Sequence, residues 1–273
     1  MKPAPFDYLR AETLAEAHDA LVAEGSDAAV IAGGQTLVPL LSMRMARPKV
    51  VLDIMHVREL GGIRLVDDAV RTGASVRQAE LLTWRDLAAR QPLLAQALPW
   101  VGHAQTRARG TVCGSIALAD PSAELPLCLL ALGGEVVLSS KAGQRSLAAD
   151  DFLTGVMSTA RHDDELIEAV SFPCARPGEG FAFREFARRH GDFAIVACAA
   201  VAMEKSIRLA VGGVADRAVA RDFAADDDLD DALAAFASEL DARDDLHATA
   251  DYRRALVRRI GAQTIAEAQA CRA

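Results

Sequence analysis

A run of small residues near the middle of the chain limits its possible structure more than any other feature. Between positions 109 and 126, little or no side chain is present at Gly110, Cys113, Gly114, Ser115, Ala117 and Ala119. Main chain of this kind can approach a ligand closely, and successive N–H groups can form an anion-binding concavity. Pro121 restricts both itself and Asp120, so it is expected to end the loop. A tight turn packed under a helix fits the same pattern, so this stretch alone leaves both interpretations open.

A second turn of small residues lies earlier in the chain. The apolar residues 28–32 predict a short buried strand that runs directly into Gly33 and Gly34. A helix is expected over about residues 37–46, with Pro39 in its first turn. A strand, a glycine turn and a helix in this order aim main-chain amides at a phosphate. The turn lacks GxGxxG and GxxxxGK[ST], so it is neither a classical dinucleotide motif nor a P-loop.

Composition narrows the class of protein. The chain has 273 residues, 51% hydrophobic and 25% charged, with a net charge of -8. These values are typical of a globular protein large enough for two domains. The negative charge argues against a general nucleic-acid binder and against binding to an anionic membrane. It does not exclude an anionic cofactor, because backbone amides can hold phosphates.

The cysteines and the apolar runs bear on compartment and metals. The five cysteines are widely spaced with no CxxC pair, which favours reduced, mostly buried thiols and argues against an iron–sulfur or structural zinc site in this chain. No run reaches membrane-spanning length, and the first residues lack a hydrophobic signal core, so a cytoplasmic location is expected.

The remaining pattern predicts the order of helices and strands. Thr13 and Glu16 suggest a capping box for a first helix, and Ser75 is expected to cap a helix over residues 75–90. A hairpin is expected around Asp67 and Asp68. Further strands are expected over residues 135–139 and 165–172, and further helices over residues 92–98 and 124–132.

The chain changes character after a segment rich in Pro and Gly, residues 177–180, which is the best candidate for a linker. Antiparallel strands are expected within residues 181–214, where apolar residues alternate. The C-terminal residues predict two helices, over about 228–241 and 250–271. The acidic residues 226–228 would begin the first of these, where the helix dipole favours negative charge.

The two small-residue turns resemble the two flavin loops of the molybdenum hydroxylases. The first resemblance rests on Ala32-Gly33-Gly34-Gln35-Thr36-Leu37. The second, usually written T-x-G-G-N/S-x-A-x-A-D-P, rests on Thr111-Val112-Cys113-Gly114-Ser115-Ile116-Ala117-Leu118-Ala119-Asp120-Pro121.

Two later segments extend the resemblance over nearly the whole chain. One resembles the family's R-R-x-G-D-F-A signature, with the sequence Arg188-Arg189-His190-Gly191-Asp192-Phe193-Ala194. The other resembles its C-terminal D-x-H-A-s-a-e-Y-R-r, with the sequence Asp245-Leu246-His247-Ala248-Thr249-Ala250-Asp251-Tyr252-Arg253-Arg254. The chain is thereby identified as similar to the medium, FAD-binding subunit of the xanthine dehydrogenase and carbon monoxide dehydrogenase family.

This resemblance implies an α+β fold. Residues 1–177 would form an FAD-binding domain of the PCMH (p-cresol methylhydroxylase) type, in two α/β lobes of about residues 1–57 and 58–177. Residues 178–273 would form a smaller C-terminal α/β domain with an antiparallel sheet and helices, and FAD would lie extended between the domains.

The resemblance also implies a set of cofactor contacts, and no catalytic residue or metal ligand. Amides of both turns would hold the pyrophosphate. Val101 would lie on the adenine side, Asp120 and Glu124 would make polar contacts, and Ile167 would make an aliphatic contact. Arg184 falls where some relatives have a Lys near the flavin ring. The full set is Ala32, Gly33, Gly34, Gln35, Thr36, Leu37, Val101, Gly110, Thr111, Gly114, Ser115, Ala117, Asp120, Glu124, Ile167 and Arg184.

Two positions depart from the family pattern. Cys113 replaces the first Gly of T-x-G-G, where a Cβ would oppose a positive φ or crowd the cofactor. Its thiol is expected to be a small buried hydrophobe rather than a redox group. Arg184 keeps the charge of a Lys but changes its reach and geometry.

The implied function is an electron relay. A large molybdopterin subunit would hydroxylate the substrate, a small subunit with two [2Fe–2S] clusters would deliver electrons, and FAD on this chain would reduce an external acceptor. The assembly would be a dimer of heterotrimers. Two other interpretations stay open: a stand-alone flavin oxidase of the same superfold, and a non-catalytic module that has lost FAD.

Overall fold

The computed structural model describes residues 2–225 and 228–272. Its strands are β1 (Asp7–Arg10), β2 (Ala28–Ile31), β3 (Val50–Asp53), β4 (Ile63–Val66), β5 (Ala69–Gly73), β6 (Glu135–Ser140), β7 (Gly143–Ala148), β8 (Leu153–Gly155), β9 (Ser158–Thr159), β10 (Leu166–Pro173), β11 (Gly180–Phe186), β12 (Val196–Ala202), β13 (Ser206–Gly212) and β14 (Val219–Ala224). Its α-helices are α1 (Leu14–Glu24), α2 (Leu37–Ser42), α3 (Gln78–Leu82), α4 (Leu87–Arg90), α5 (Pro92–Ala97), α6 (Ala104–Arg107), α7 (Val112–Leu118), α8 (Glu124–Ala131), α9 (Ala149–Phe152), α10 (Leu229–Glu239) and α11 (Ala250–Ala270). Short 3₁₀ turns are Gly25–Asp27, Arg58–Leu60 and Leu98–Trp100.

The first sheet is parallel, in the order β1-β3-β2. The helix α1 begins as the sequence predicts, because the Thr13 side chain accepts a hydrogen bond from the Glu16 amide at 3.2 Å. Gly25 ends this helix with a φ of +52°. The predicted strand, glycine turn and helix follow, as β2, residues 32–36 and α2. The helix α2 ends at Ser42 rather than near residue 46, and Arg44 follows it with a φ of +59°.

The second sheet is antiparallel, in the order β4-β5-β10-β6-β7. The predicted hairpin is confirmed, and its turn residues Asp67 and Asp68 have φ of +48° and +57°. Aspartate tolerates this left-handed region better than most residues. The edge strand β7 was not predicted, because most of its residues are exposed and it carries no apolar alternation.

The third sheet is antiparallel and runs β11-β12-β13-β14. One face packs against α10 and α11, and the other packs against α5 and α8. Every residue of α8 is buried, which explains why its apolar sequence shows no polar face. The helix α8 therefore joins the N-terminal part (residues 2–173) to the C-terminal part (residues 180–272).

Some predicted boundaries were wrong. The helix expected over residues 75–90 is two short helices, α3 and α4. Ser75 does not cap a helix, since its hydroxyl donates to the Leu60 carbonyl at 3.0 Å. Asp228 does cap α10 and accepts hydrogen bonds from the amides of Asp230 and Asp231. Asp226 and Asp227, in the predicted acidic start, lie outside the described residues.

Within the described residues, three larger sheets and the two-stranded sheet β8-β9 are surrounded by helices, which confirms the α+β class. Across residues 2–225 and 228–272, no helix has both the length and the apolar character needed to cross a bilayer.

Candidate functional site

The two small-residue turns touch each other in the folded chain. A Cβ added to Gly33 would overlap the carbonyl oxygen of Arg109 and would lie 2.7 Å from the Cα of Gly110. Only a residue without a side chain permits this approach. The two turns, distant in sequence, therefore form one continuous surface.

The first turn presents a row of unpaired amides. Within the described ranges, the backbone N–H groups of Gly33, Gly34, Gln35 and Thr36 donate no hydrogen bond. The turn is held instead by Gly34 at φ +70°, whose carbonyl accepts from the Val38 amide at 3.0 Å. Fixed donors grouped in this way form a concavity suited to a phosphate.

The second stretch is a short helix and not the open loop that the sequence suggested. Thr111 is the N-cap of α7, and its Oγ1 accepts from the Gly114 amide at 3.0 Å. The Thr111 carbonyl accepts from the Ser115 amide at 3.2 Å. The amides of Gly114 and Ser115, expected to face a pyrophosphate, are thus already engaged. In the described part of the chain the Cys113 amide donates no hydrogen bond, and it is the free donor that sequence reasoning missed.

The outer face of α7 carries little side-chain bulk. Gly114 and Ala117 are exposed and Ser115 is half-buried, whereas Val112 and Ile116 are fully buried. A ligand can therefore lie close to the main chain along this face.

Cys113 points into the core. It is 3% exposed, and its thiol donates to the Thr72 carbonyl at 3.6 Å. Its φ is negative, so no strain arises from replacing the glycine of the family pattern. Burial raises the pKa of the thiol to about 12. The expectation of a small buried hydrophobe is confirmed, and the side chain does not occupy the surface of the turns.

Two carboxyl groups follow α7. The Oδ1 of Asp120 accepts from the Ser122 amide at 2.8 Å, and burial raises the pKa of this carboxyl group. Glu124, the first residue of α8, is 5% exposed. Burial is the main cause that raises its pKa to about 7, Asp120 raises it further, and Arg107 opposes the shift. Near neutral pH the Glu124 carboxyl can therefore either donate or accept a hydrogen bond.

Val101 and Ile167 are expected to contact the cofactor, and the side chains of both are buried. The Val101 carbonyl accepts from Arg107 Nη1 at 2.9 Å, and Arg107 also donates to Gly102. Ile167 packs in the core on β10, opposite Leu138 of β6. Arg107, which the sequence did not single out, fixes the path of the chain at Val101.

Arg184 lies on the face of β11 that packs against α11, and its expected place near the flavin ring stays a prediction. Arg184 pairs in register with Cys198, whose side chain belongs to the core beneath α11. The guanidinium binds Glu267 on α11, with Nε 2.8 Å from Oε2. Successive residues of a strand face opposite sides of a sheet, so the neighbour Glu185 faces α8 instead.

The R-R-x-G-D-F-A segment rests on the N-terminal part. The His190 ring lies 4.8 Å from the Trp100 ring, between centroids. Gly191, at φ +86°, packs so tightly that a Cβ would be 2.6 Å from Nδ1 of His103. The sequence singled out this segment, but nothing in it indicated a contact with the residues around Val101.

Arg253, from the C-terminal motif, binds the main chain at Ile195, directly after the R-R-x-G-D-F-A segment. It is 5% exposed and donates to the carbonyls of Ile195 and Gly213 and to the carboxylate of Asp245. A cavity of about 580 Å³ lies between this segment and the end of α7, lined by residues that include Pro121, Ser122, Asp192, Phe193 and Arg253.

Comparison with known families accounts for both parts of the chain. The family described as "FAD binding domain in molybdopterin dehydrogenase" matches residues 4–175. The family described as "CO dehydrogenase flavoprotein C-terminal domain" matches residues 181–268. Together they contain every residue of the predicted site.

Individual relatives give the same result. The chain is 43% identical over 201 residues to the 6-hydroxypseudooxynicotine dehydrogenase complex subunit alpha of Paenarthrobacter nicotinovorans, covering 74% of this chain and 68% of that one. It is 37% identical over 284 residues to the nicotine 6-hydroxylase medium subunit of the same organism, covering 99% of both. A solved structure of carbon monoxide dehydrogenase from Hydrogenophaga pseudoflava superposes with a TM-score of 0.95 at 30% identity, covering 100% of both chains.

Three features fit a dinucleotide cofactor such as FAD. They are the free amides of the first turn, the contact of Gly33 with Gly110 that joins the two turns, and the unobstructed face of α7. The chain belongs to the molybdenum hydroxylase family, as an FAD-containing medium subunit of the oxidoreductases that include carbon monoxide and xanthine dehydrogenases.

Proposed function

We propose that this chain binds FAD across the two joined turns and relays electrons from [2Fe–2S] clusters of a partner subunit to an external acceptor. The observation that carries the proposal is the contact of Gly33 with Gly110, which makes one continuous surface from two separate motifs. Bound FAD would supply the redox chemistry, since it can exchange electrons singly or in pairs.

Backbone amides and side chains then have different roles in binding. The amides of residues 33–36 and of Cys113 donate to the diphosphate, and the outer face of α7 gives it room. Val101 covers the adenine side, and Asp120 and Glu124 bind hydroxyl or amide groups of the cofactor. Ile167 provides an aliphatic wall. In this proposal residues 1–177 and 178–273 are two domains, with the cofactor extended between them.

The names of the relatives support an assembly with partner subunits. The relatives named above are a medium subunit and a complex subunit, which supports an assembly of this chain with other chains. We propose a large molybdopterin subunit and a small iron–sulfur subunit, arranged as a dimer of heterotrimers. Substrate is oxidised on the large subunit, so this chain contributes the exit path for electrons.

A deflavinated complex tests the relay. The complex is purified whole, FAD is removed, and two signals are followed after substrate is added: bleaching of the iron–sulfur absorbance and reduction of the acceptor. Removal of FAD should leave cluster bleaching intact and abolish acceptor reduction, and added FAD should restore it. Acceptor reduction at full rate without FAD would reject the relay. Oxidation of an alcohol by this chain alone with FAD would favour the stand-alone oxidase.

A further inference from the structure

The residues that lead into α3 pair with the second turn. Residues 76–78 run antiparallel to residues 110–112. The Gln78 amide donates to the Gly110 carbonyl at 2.8 Å, and a second main-chain bond of 3.0 Å joins the other ends of the two segments. The Gly110 amide donates to the Thr106 carbonyl at 2.7 Å. Both main-chain polar groups of Gly110 are therefore engaged within the protein.

The side chain of Gln78 fills the space that a side chain at Gly110 would need. A Cβ added to Gly110 would lie 3.0 Å from Oε1 of Gln78, which is tighter than an ordinary contact. The Cα of Gly110 also lies 2.7 Å from the position of a Cβ on Gly33, and this approach joins the two turns. Gly110 therefore adjoins both the first turn and the Gln78 amide.

The same side chain reaches the next residue of the second turn. Its Nε2 donates to the Thr111 carbonyl at 3.5 Å, which is a long hydrogen bond. Thr111 is the N-cap of α7, so its main chain fixes how the turn enters the helix. One buried side chain therefore contacts two consecutive residues of the second turn.

Folding stability alone does not explain a glutamine at this position. Gln78 is 5% exposed, and among residues 2–225 and 228–272 its Oε1 has no hydrogen-bond partner. A buried acceptor without a partner is costly, and the long bond from Nε2 offsets little of that cost. Methionine has a similar length and no such group, so it should be at least as stable here. The amide therefore needs a reason other than stability.

We propose that Gln78 is a positioning residue for the cofactor, and that its amide keeps Gly110 against Gly33. The amide occupies the space beside Gly110 and holds the Thr111 carbonyl, so the second turn stays in contact with the first. Without the amide, the empty chain can relax at this point, and ligand binding must then restore the contact between the turns. This assignment rests on the proposed function, because it takes FAD as the ligand that needs both turns joined.

The test compares Gln78→Met with the wild-type full chain. FAD affinity is measured by flavin fluorescence, and the stability of the FAD-free chain is measured by urea unfolding. Gln78→Met should bind FAD about three- to tenfold more weakly, which is the range expected for one lost hydrogen bond. Its urea unfolding midpoint should stay the same or rise, because the unpaired acceptor is gone. FAD affinity equal to that of the wild type would overturn the proposal.

Gln91→Met is the matched control, because Gln91 is a second buried glutamine whose amide is paired at both ends. Its Nε2 donates to the Pro173 carbonyl at 2.6 Å, and its Oε1 accepts from the Leu93 amide at 3.1 Å. Gln91→Met should therefore lower the unfolding midpoint and leave FAD affinity unchanged. If Gln78→Met shows this same pattern, Gln78 is an ordinary core residue and the proposal is wrong.

Phosphorus NMR of the chain saturated with FAD locates the effect. The diphosphate resonances report the surroundings of the phosphates in the folded protein, so a change of stability alone does not move them. They should differ from the wild type in Gln78→Met and not in Gln91→Met, and unchanged resonances in Gln78→Met would overturn the proposal even where affinity falls.

A second variant keeps the test decisive. If Gln78→Met fails to fold, Gln78→Leu removes the same amide, and the same outcomes apply to it. The wild type separates this assignment from the proposed function. A wild-type chain that binds no FAD would reject the proposed function and this assignment with it, whereas normal binding by both the wild type and Gln78→Met would reject this assignment alone.

Discussion

Gly33 and Gly110 lie against each other, with no room for a side chain between them. A Cβ on Gly33 would be 2.7 Å from the Cα of Gly110 and would also overlap the Arg109 carbonyl. This contact joins the turn after β2 to the start of α7. The free amides of the first turn and the small residues of the second then face one binding surface.

Gly33→Ala should separate the two turns. The added methyl group must displace backbone, which cannot give way as a flexible side chain can. We expect FAD affinity to fall at least about tenfold, a loss of about 1.4 kcal/mol of binding free energy. Titration of the purified chain by flavin fluorescence measures this.

Gly155→Ala is the matched control for that variant. A Cβ at Gly155 meets its nearest neighbour, Ser158 Cβ, at an ordinary 3.9 Å. This variant should bind FAD like the wild type. Full FAD content in Gly33→Ala would show that the contact between the turns does not matter for binding.

Cys113→Gly restores the family residue but should not improve FAD binding. The thiol packs in the core and does not face the turns. Glycine within α7 is expected to lower the free energy of unfolding by about 1 kcal/mol from helix propensity alone, with further loss from the cavity. Urea unfolding and FAD titration of the same sample check both parts. A gain in FAD affinity would place Cys113 at the cofactor after all.

Arg253→Gln should loosen the segment that carries Asp192 and Phe193. The guanidinium binds two carbonyls and Asp245 while buried, and glutamine cannot replace all three bonds. Leaving buried carbonyls unpaired costs about 1–3 kcal/mol each, so the free energy of unfolding should fall by at least about 2 kcal/mol. Arg258→Gln, at an exposed position on the same helix, is the control. Equal stability of the two variants would contradict this role.

Acid should weaken the start of β10. Glu165 is buried and accepts from Arg145, with Oε2 2.8 Å from Nη2, and this bond lowers its pKa. Its stabilising contribution is therefore present above about pH 4.5 and is lost as pH falls below that value. Glu165→Gln should lower stability at neutral pH and reduce the loss of stability between pH 5 and pH 3, roughly the range where carboxylates titrate. The urea unfolding midpoints of the wild type and of Glu165→Gln are measured across that range. Parallel curves for the two proteins would contradict this role of Glu165.

Local chemistry explains which parts of the fold the sequence predicted. Thr13, Gly25 and the Asp67-Asp68 turn are short-range signals, and each works in the structure as expected. The wholly buried α8 was also recognisable as a helix. The strand β7 was missed because its residues are mostly exposed and polar.

The candidate site was predictable only in part, for a physical reason. Motif chemistry locates both turns, but it predicts a loop where α7 lies, because the small residues of this helix resemble a turn. Strand register decided that Arg184 faces α11 and that Glu185 faces α8, and register depends on pairing with β12. Contacts between distant segments, such as Gly191 with His103, leave no local trace in the sequence.

The structure of the FAD-bound chain in its complex tests the central claim most directly. The account predicts diphosphate oxygens at hydrogen-bond distance, about 3 Å, from amides of residues 33–36, with the face of α7 at Gly114 beside them. A diphosphate bound away from both turns would contradict it.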